Sequence, residues 1–297
     1  MTLRIGSRGS KLALTQTNLV ADAIRAANPG LEVDVVIIKT KGDLIQDKPL
    51  NEIGDKGLFV KEIEEALLNH EIDLAVHSLK DMPGEQPPGL EMSITPKRED
   101  PRDVVITFEP MKSLENLPLN SKIATGSPRR IDQLKILRPD ITAMPIRGNV
   151  DTRIRKSKEN GYQGIILAAA GLNRLNMEYT GFPLEIDTFI PAPAQGILGL
   201  ENRVDDEETL AYLRPLHDED SHRQALAERA FLRYVDGGCH APMGAHCVIE
   251  GENFTITGFY QEGEVYRKES LCGVRGEERE KGKALALLLK ERVKNER

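Results

Sequence analysis

The sequence has no tryptophan, only three cysteines and no long apolar run, and each absence excludes a class of protein. No stretch approaches the roughly 18 consecutive apolar residues that a membrane-spanning helix needs, so we expect no membrane partner. The N-terminus runs directly into a predicted strand and lacks the apolar core of a secretory signal. We therefore expect a cytoplasmic protein.

An excess of positive charge is also absent. The net charge of −7 and the pI of about 5.6 argue against a nucleic-acid partner. Cys239, Cys247 and Cys272 form neither a CxxC pair nor a disulfide framework. His240 and His246 adjoin two of these cysteines, but their spacing fits no known set of zinc ligands. We expect no metal.

The length of 297 residues and the alternation of strands with helices predict two α/β domains and a small third one. The fold class is two hinged, doubly wound lobes resembling periplasmic binding proteins, plus a C-terminal α+β domain with an antiparallel sheet. A strand at Gln195–Glu201 is predicted to return the chain to the first lobe. The predicted domains are 1–96 with 197–217, then 101–193, then 219–297.

Arginines follow several predicted strands, each beside a glycine-bearing turn. They are Arg8, Arg129 with Arg130, Arg147 and Arg174. In an open α/β sheet the ligand lies beyond the carboxyl ends of the strands. Because guanidinium groups pair bidentately with carboxylates and phosphates, the set predicts a ligand with several such groups. For any single arginine, a salt-bridged surface position is the alternative.

The stretch 75–84 places reactive side chains at the end of another predicted strand. His77, Ser78, Lys80 and Asp81 follow a short apolar run. A cation next to a carboxylate can hold an anion and respond to a developing positive charge. The alternative is a solvated turn, because Lys-Asp before Pro-Gly is ordinary turn chemistry.

Cys239 is the candidate nucleophile. It follows Gly237 and Gly238 in a predicted loop between an amphipathic helix and three strands, where its sulfur is accessible. Cys247 and Cys272 lie in apolar strands, which indicates a structural role. A packed loop cysteine is the alternative for Cys239. Residues 39–57 show no periodicity, so they are predicted to form a long loop, either a lid or a mobile segment.

Seven motifs stand in the order found in the porphobilinogen deaminases, also called hydroxymethylbilane synthases, and the chain resembles that family across nearly its whole length. The motifs are Arg8-x-Ser10-x-Leu-Ala13, Gly57-Leu-Phe-Val-Lys-Glu62, Ala75-Val-His-Ser-Leu-Lys-Asp81, Arg98-Glu-Asp-Pro-Arg-Asp103, Arg129-Arg130, Arg147-Gly-Asn-Val150 and Gly237-Gly-Cys239. The chain departs from the usual family pattern at Gly126, Pro128, His240 and Ala241. The loop at 42–57 resembles the segment that covers the cleft in this family.

The resemblance implies a transferase of heme biosynthesis. It would join four porphobilinogen molecules head to tail, releasing ammonia, to give the linear tetrapyrrole hydroxymethylbilane. The growing chain would be primed by a dipyrromethane cofactor held through a thioether to Cys239. Asp81 would be the catalytic residue, binding pyrrole N–H groups and stabilising the positive charge that forms as ammonia leaves.

The resemblance also implies which residues hold carboxylates, and we expect the enzyme to be a monomer. The cofactor-binding residues would be Lys80, Asp81, Thr125, Ser127, Arg129 and Arg130. The substrate-binding residues would be Arg8, Ser10, Gln16, Arg147, Arg153, Arg174 and Gln195. Two other functions stay open from the residues alone: a non-catalytic polyanion-binding module, and a phosphate-handling enzyme, although the sequence has no P-loop.

Overall fold

The computed structural model describes residues 2–41, 60–235 and 242–296. The chain divides into two compact units. The first contains the residues up to Glu99 together with Ile197–His222, and the second contains Asp100–Gly196 together with the chain from Arg223 onward. The predicted division into three domains stays a prediction. No helix in the described ranges is long and apolar enough to cross a membrane.

The first unit is built on a five-stranded mixed sheet with strand order β2-β1-β3-β10-β4. β1 is parallel to β2 and β3, and β10 is antiparallel to both of its neighbours. Apolar side chains of β1, β3 and the first helix pack together in one hydrophobic core. The elements are β1 Thr2–Ser7, α1 Lys11–Ala27, β2 Glu32–Ile37, α2 Lys61–Leu68, β3 Leu74–Ser78, β4 Leu90–Ile94, β10 Leu198–Arg203 and α6 Glu207–Leu213.

The second unit contains a five-stranded sheet with strand order β7-β6-β8-β5-β9. β6 is parallel to β7 and β8, and β5 is antiparallel to β8 and β9. Pro128 begins a helix as predicted, because the first helical position needs no backbone N–H. The elements are β5 Asp103–Thr107, β6 Lys122–Ala124, α3 Pro128–Leu137, β7 Thr142–Met144, α4 Val150–Glu159, β8 Gly164–Ala168, α5 Ala169–Arg174 and β9 Gly181–Leu184.

The second unit also holds the C-terminal antiparallel sheet, in the order β11-β12-β13. Helices on one face bury Phe231 and Leu285 against Phe254. Gly282 lets the two helices approach closely, since a Cβ there would lie 2.2 Å from the carbonyl oxygen of Ala227. The elements are α7 Glu219–Val235, β11 Met243–Glu250, β12 Asn253–Glu262, β13 Val265–Val274 and α8 Glu278–Asn295.

The predicted fold class is confirmed: two mixed α/β sheets are followed by a small antiparallel sheet with helices. The predicted start of the strand at Gln195 was wrong. Ala194 and Gly196 have φ of 61° and 88°, so the backbone turns there, and β10 begins only at Leu198. β4 and β9 were not predicted, because each is a short strand bounded by loop-like sequence.

Candidate functional site

The edge of the first sheet at the carboxyl ends of its parallel strands, which we call its ligand edge, brings together residues that follow β1 and β3. These strands are parallel neighbours, with Gly6 opposite Ala75, so their carboxyl ends lie at the same edge. Arg8 follows β1, and a single 3₁₀ turn, Leu79–Asp81, follows β3. Lys80 is half-buried and Asp81 is exposed. The predicted catalytic acid is therefore open to solvent at the end of a buried strand.

Polar contacts tie this edge to the first helix. Ser10 caps α1 by accepting a hydrogen bond from the backbone N–H of Ala13 at 3.3 Å, as predicted for an N-cap. The Gln16 amide nitrogen donates to the Ser78 hydroxyl at 3.0 Å, and that hydroxyl donates back to the amide oxygen at 3.1 Å. Ser10 and Gln16 thus fix the helix start beside the strand that carries Lys80 and Asp81.

A buried hydrogen-bonded pair lies one residue before that edge. His77 Nε2 is 3.1 Å from Glu201 Oε2, and both side chains are buried. Glu64 is their neighbour from α2. Burial raises the pKa of Glu64, the negative charge of Glu201 raises it further, and His77 partly opposes the rise. Sequence reasoning named His77 but gave Glu201 no part in this cluster.

The ligand edge of the second sheet is formed in the same way. β6, β7 and β8 are parallel, so Thr125, Arg147 and the start of α5 follow them at one edge. β5 runs in the opposite direction, and its first residue, Asp103, stands opposite Ala168, the last residue of β8. An acidic side chain therefore lies at an edge for which the sequence predicted arginines.

Asp103 pairs with two arginines. Arg129 Nη2 lies 2.8 Å from Asp103 Oδ2, and Arg130 donates to Oδ1 from Nε at 3.0 Å and from Nη2 at 2.6 Å. All three side chains are buried. Burial alone would raise the pKa of Asp103, but the positive charges of Arg129 and Arg130 outweigh burial and hold that pKa well below its usual range.

The charges of this cluster, Asp103 with Arg129 and Arg130, do not cancel. One carboxylate and two guanidiniums leave one net positive charge in a buried setting, where a further anionic group is favourable. A carboxylate of a pyrrole cofactor fits that requirement. Asp103 is the last residue of the motif at 98–103, and the sequence predicted no role for it. The available signal was its place at the first residue of an apolar strand.

Residues 190–196, called the 190–196 segment below, contact the cluster of Asp103, Arg129 and Arg130. Arg129 Nη1 donates to the carbonyl of Ile190 at 2.7 Å. Gln133 binds both polar groups of the same peptide: its amide nitrogen donates to the Ile190 carbonyl at 2.9 Å, and its amide oxygen accepts from the Ile190 N–H at 2.7 Å. One guanidinium of the cluster thus also fixes the backbone of the segment.

The other end of the 190–196 segment is held by two predicted substrate residues. Gln195 is fully buried, and its amide nitrogen donates to the Pro101 carbonyl at 2.8 Å and to Asp103 Oδ1 at 3.0 Å. Arg174 donates to the carbonyl of Gly196 at 2.6 Å. Gln195 therefore contacts Asp103 directly, and Arg174 holds the backbone of the residue that follows Gln195.

Other predicted residues lie at or near the same edge. Thr125 is buried and accepts a hydrogen bond from the backbone N–H of Ser127 at 3.3 Å. Arg147 is half-buried after β7, and Arg153 on α4 donates to the carbonyl of Gly148. Within the described ranges, no three His, Cys, Asp or Glu side chains are grouped so as to hold a metal ion.

Two predicted features fall on residues whose structure is not described. Cys239, the predicted attachment point, lies between the end of α7 at Val235 and the start of β11 at Met243, outside the described residues. The predicted cover loop, residues 42–57, also lies outside them. Within the described residues, Arg8, Lys80 and Asp81 lie at the ligand edge of the first sheet. Thr125, Arg129, Arg130 and Arg147 lie at the ligand edge of the second sheet.

The fold and these edges define an α/β protein with buried guanidinium groups at the carboxyl ends of its parallel strands. Residues 3–211 match the family model for the porphobilinogen deaminase dipyromethane cofactor binding domain, and residues 222–291 match the model for the porphobilinogen deaminase C-terminal domain. The chain belongs to the porphobilinogen deaminase family, as its motifs predicted. The Asp103 cluster lies inside the part that the cofactor-binding model matches.

Known relatives cover almost the whole chain. The porphobilinogen deaminase of Clostridium novyi is 50% identical over 92% of this chain and 93% of its own length. That of Clostridioides difficile is 48% identical over 98% of each chain. Among solved structures, the effector binding domain of BenM with benzoate aligns with 72% of this chain and 89% of its own, at 16% identity and a TM-score of 0.43.

Proposed function

We propose that this chain is a transferase that condenses four porphobilinogen molecules head to tail, releasing ammonia, to give hydroxymethylbilane for heme biosynthesis. The observation that carries the proposal is the buried Asp103 cluster, with its net positive charge, in the region matched by the cofactor-binding model. The dipyrromethane group supplies the pyrrole primer to which the first substrate is joined. The rest of the chemistry falls to side chains of this chain.

Asp81 has the properties needed for charge stabilisation. An ionised carboxylate only accepts hydrogen bonds, which suits the N–H groups of pyrrole rings. Its negative charge is aimed at the place where positive charge develops when ammonia leaves, so it stabilises the transition state more than the ground state. Lys80, next to it, supplies a cation for a substrate or cofactor carboxylate. The 3₁₀ turn holds both at the ligand edge.

Carboxylate binding is divided between the two ligand edges. Each porphobilinogen carries two carboxylates, so a chain of several pyrroles needs many cations. The cofactor side chains are Lys80, Asp81, Thr125, Ser127, Arg129 and Arg130, with Cys239 as the covalent attachment. The substrate side chains are Arg8, Ser10, Gln16, Arg147, Arg153, Arg174 and Gln195. Because Gln195 donates to Asp103, we infer that it acts by orienting that acid. The protein acts as a cytoplasmic monomer.

Intact mass tests the cofactor and its attachment. The wild type is expected to carry an excess mass of two pyrrole units, and Cys239→Ser is expected to carry none. Cys272→Ser is the matched control, because Cys272 is exposed on β13 and plays no part in the proposal. A wild type that gains no mass and releases no ammonia after porphobilinogen is added would contradict the proposed function and favour a polyanion-binding module.

Asp81→Asn tests the catalytic role. The variant keeps the shape of the side chain and removes its charge, so substrate binding is expected to persist while kcat falls by about 10²–10³-fold. Single-turnover and steady-state measurements of ammonia release separate the two quantities. Asp22→Asn, a change of the same kind at an exposed position, is the control. Near-normal kcat in Asp81→Asn would rule out the assigned role.

A further inference from the structure

A buried glutamate of the second unit, Glu228, joins three elements through two backbone amides. Glu228 lies on α7 and is fully buried. Its Oε2 accepts a hydrogen bond from the backbone N–H of Ala194 at 2.6 Å, and its Oε1 accepts one from the backbone N–H of Cys247 at 2.8 Å. A carboxylate presents an acceptor on each of its two oxygens, whereas an amide in the same position presents an acceptor on one atom and an NH₂ donor on the other.

The first of these amides belongs to a strained part of the 190–196 segment. Ala194 has φ of 61°, a conformation that a residue with a Cβ adopts at a cost. Such residues persist where the surroundings determine the backbone, and they concentrate at functional sites. Here the N–H of Gln195 donates to the Ala192 carbonyl at 2.9 Å, and Glu228 holds the N–H of Ala194 itself.

The segment is also where the Asp103 cluster makes its backbone contacts. Arg129 donates to the Ile190 carbonyl, and Gln195, the residue after Ala194, donates to Asp103. A carboxylate that fixes Ala194 therefore fixes the backbone on both sides of Gln195. If the segment moved, Arg129 and Asp103 would each lose a buried partner.

The second amide belongs to β11, which packs on the same segment. The N–H of Ala245 donates to the Pro191 carbonyl at 3.0 Å. Gly244 permits this approach, because a Cβ there would lie 2.8 Å from the carbonyl oxygens of both Ile190 and Pro191. Glu228 thus ties α7 and β11, the elements on either side of residues 236–241, to the segment that supports the guanidinium cluster.

We propose that Glu228 is a positioning residue for the dipyrromethane cofactor. Its carboxylate holds the 190–196 segment, and with it Gln195, Asp103 and Arg129, in the geometry that accepts a cofactor carboxylate. A supporting contact of this kind acts by keeping the binding groups in place before the ligand arrives. The inference rests on the proposed function.

Glu228→Gln tests the inference with cofactor loading as the readout. The substitution keeps the size of the side chain but turns an NH₂ group toward one of the two backbone N–H donors. Apo protein from cells that make no porphobilinogen is mixed with porphobilinogen, and the gain of two pyrrole units is followed by intact mass. We expect the variant to load about tenfold more slowly than the wild type, or to stop at partial occupancy.

Glu278→Gln is the matched control for simple destabilisation. Glu278 is a buried glutamate of the same unit that pairs with Arg223 Nε at 2.6 Å and accepts a hydrogen bond from the backbone N–H of Gly276 at 2.8 Å, so Glu278→Gln also removes a buried, hydrogen-bonded carboxylate. Urea midpoints of both apo variants are measured, and loading is compared where both are folded. We expect Glu278→Gln to load at the wild-type rate.

The outcomes separate the possible failures. Wild-type loading by Glu228→Gln, or equal slowing in both variants, overturns the positioning role. A wild type that gains no mass overturns the proposed function instead. If Glu228→Gln does not fold, Glu228→Asp carries the test, because it keeps the charge but is too short to reach both amides. Wild-type loading by that variant would also contradict the inference.

Discussion

The two large sheets have the same topology but use their buried acids differently. Each is a five-stranded sheet in which three parallel strands are followed by an antiparallel strand and an edge strand, in the orders β2-β1-β3-β10-β4 and β7-β6-β8-β5-β9. In each, the antiparallel strand carries a buried carboxylate. This is Glu201 on β10 in the first unit and Asp103 on β5 in the second.

The difference lies in where the acid stands and what pairs with it. Glu201 is opposite Ala75 in the interior of its sheet, and its partner is the imidazole of His77. Asp103 is the first residue of its strand, at the ligand edge, and its partners are two permanently charged guanidiniums. Position along the strand thus determines whether the buried acid is enclosed within the sheet or stands at its edge beside the arginines.

Asp103→Asn is expected to have the largest effect. The change removes the carboxylate charge that pairs with the two buried guanidiniums of the cluster, and breaking such a pair costs about 3–5 kcal/mol of unfolding free energy. Urea denaturation at pH 7 measures the loss. Because the pKa of Asp103 lies below its usual 3.8, its contribution is present above that pH and disappears as the pH falls through the folded-state pKa.

A surface pair provides the control for Asp103→Asn. Arg155 and Glu159 are four residues apart on α4 and both are exposed. Glu159→Gln is expected to change stability by no more than about 0.5 kcal/mol, because solvent screens such pairs. Equal losses in the two variants would mean that the buried cluster has no special energetic role.

His77→Leu is expected to have an intermediate effect. It leaves the buried carboxylate of Glu201 without its donor, which costs about 1–3 kcal/mol. The double variant His77→Leu with Glu201→Met is expected to recover most of the loss, because apolar replacement of both partners removes the unsatisfied group. A double-mutant cycle from urea midpoints checks this, and additive losses would show that the two side chains are not coupled.

Glu64→Gln is expected to have the smallest effect, and its sign is stabilising. Burial first, and then the charge of Glu201, raise the pKa of Glu64 above its usual 4.5, so ionisation at neutral pH works against folding. The variant is neutral at every pH, so its urea midpoint should exceed that of the wild type at pH 7. The difference should shrink as the pH falls toward 4. A gain that grows at acidic pH would contradict the assignment.

Local sequence was enough to predict most elements of the fold. Ser10 and Pro128 marked helix starts, because an N-cap hydroxyl and a proline at the first helical position act within a few residues of chain. β4 and β9 were missed, and the strand after Gln195 was placed too early. A short strand is defined by its neighbours in the sheet, and those neighbours are distant in sequence.

The sequence predicted which types of residue form the site, but it predicted few of the contacts between them. Arg129 and Arg130 stood out as cations beside a glycine-bearing turn, yet nothing near them in the chain points to Asp103, 26 and 27 residues earlier. Glu228 gave no signal, because a glutamate on an amphipathic helix is usually a solvent-exposed residue. Its two partners lie on a turn and a strand from different parts of the chain.

The sequence by itself determined the family, because seven motifs stand in the family's order. It also determined the arginines and Asp81 at the ligand edges, because these depend on which residues follow which strands. Only the tertiary structure decided which charges are paired. Asp103 meets Arg129 and Arg130 because an antiparallel strand begins where three parallel strands end. The free energy of a buried charge depends on every group around it, and that neighbourhood exists only after the strands have assembled.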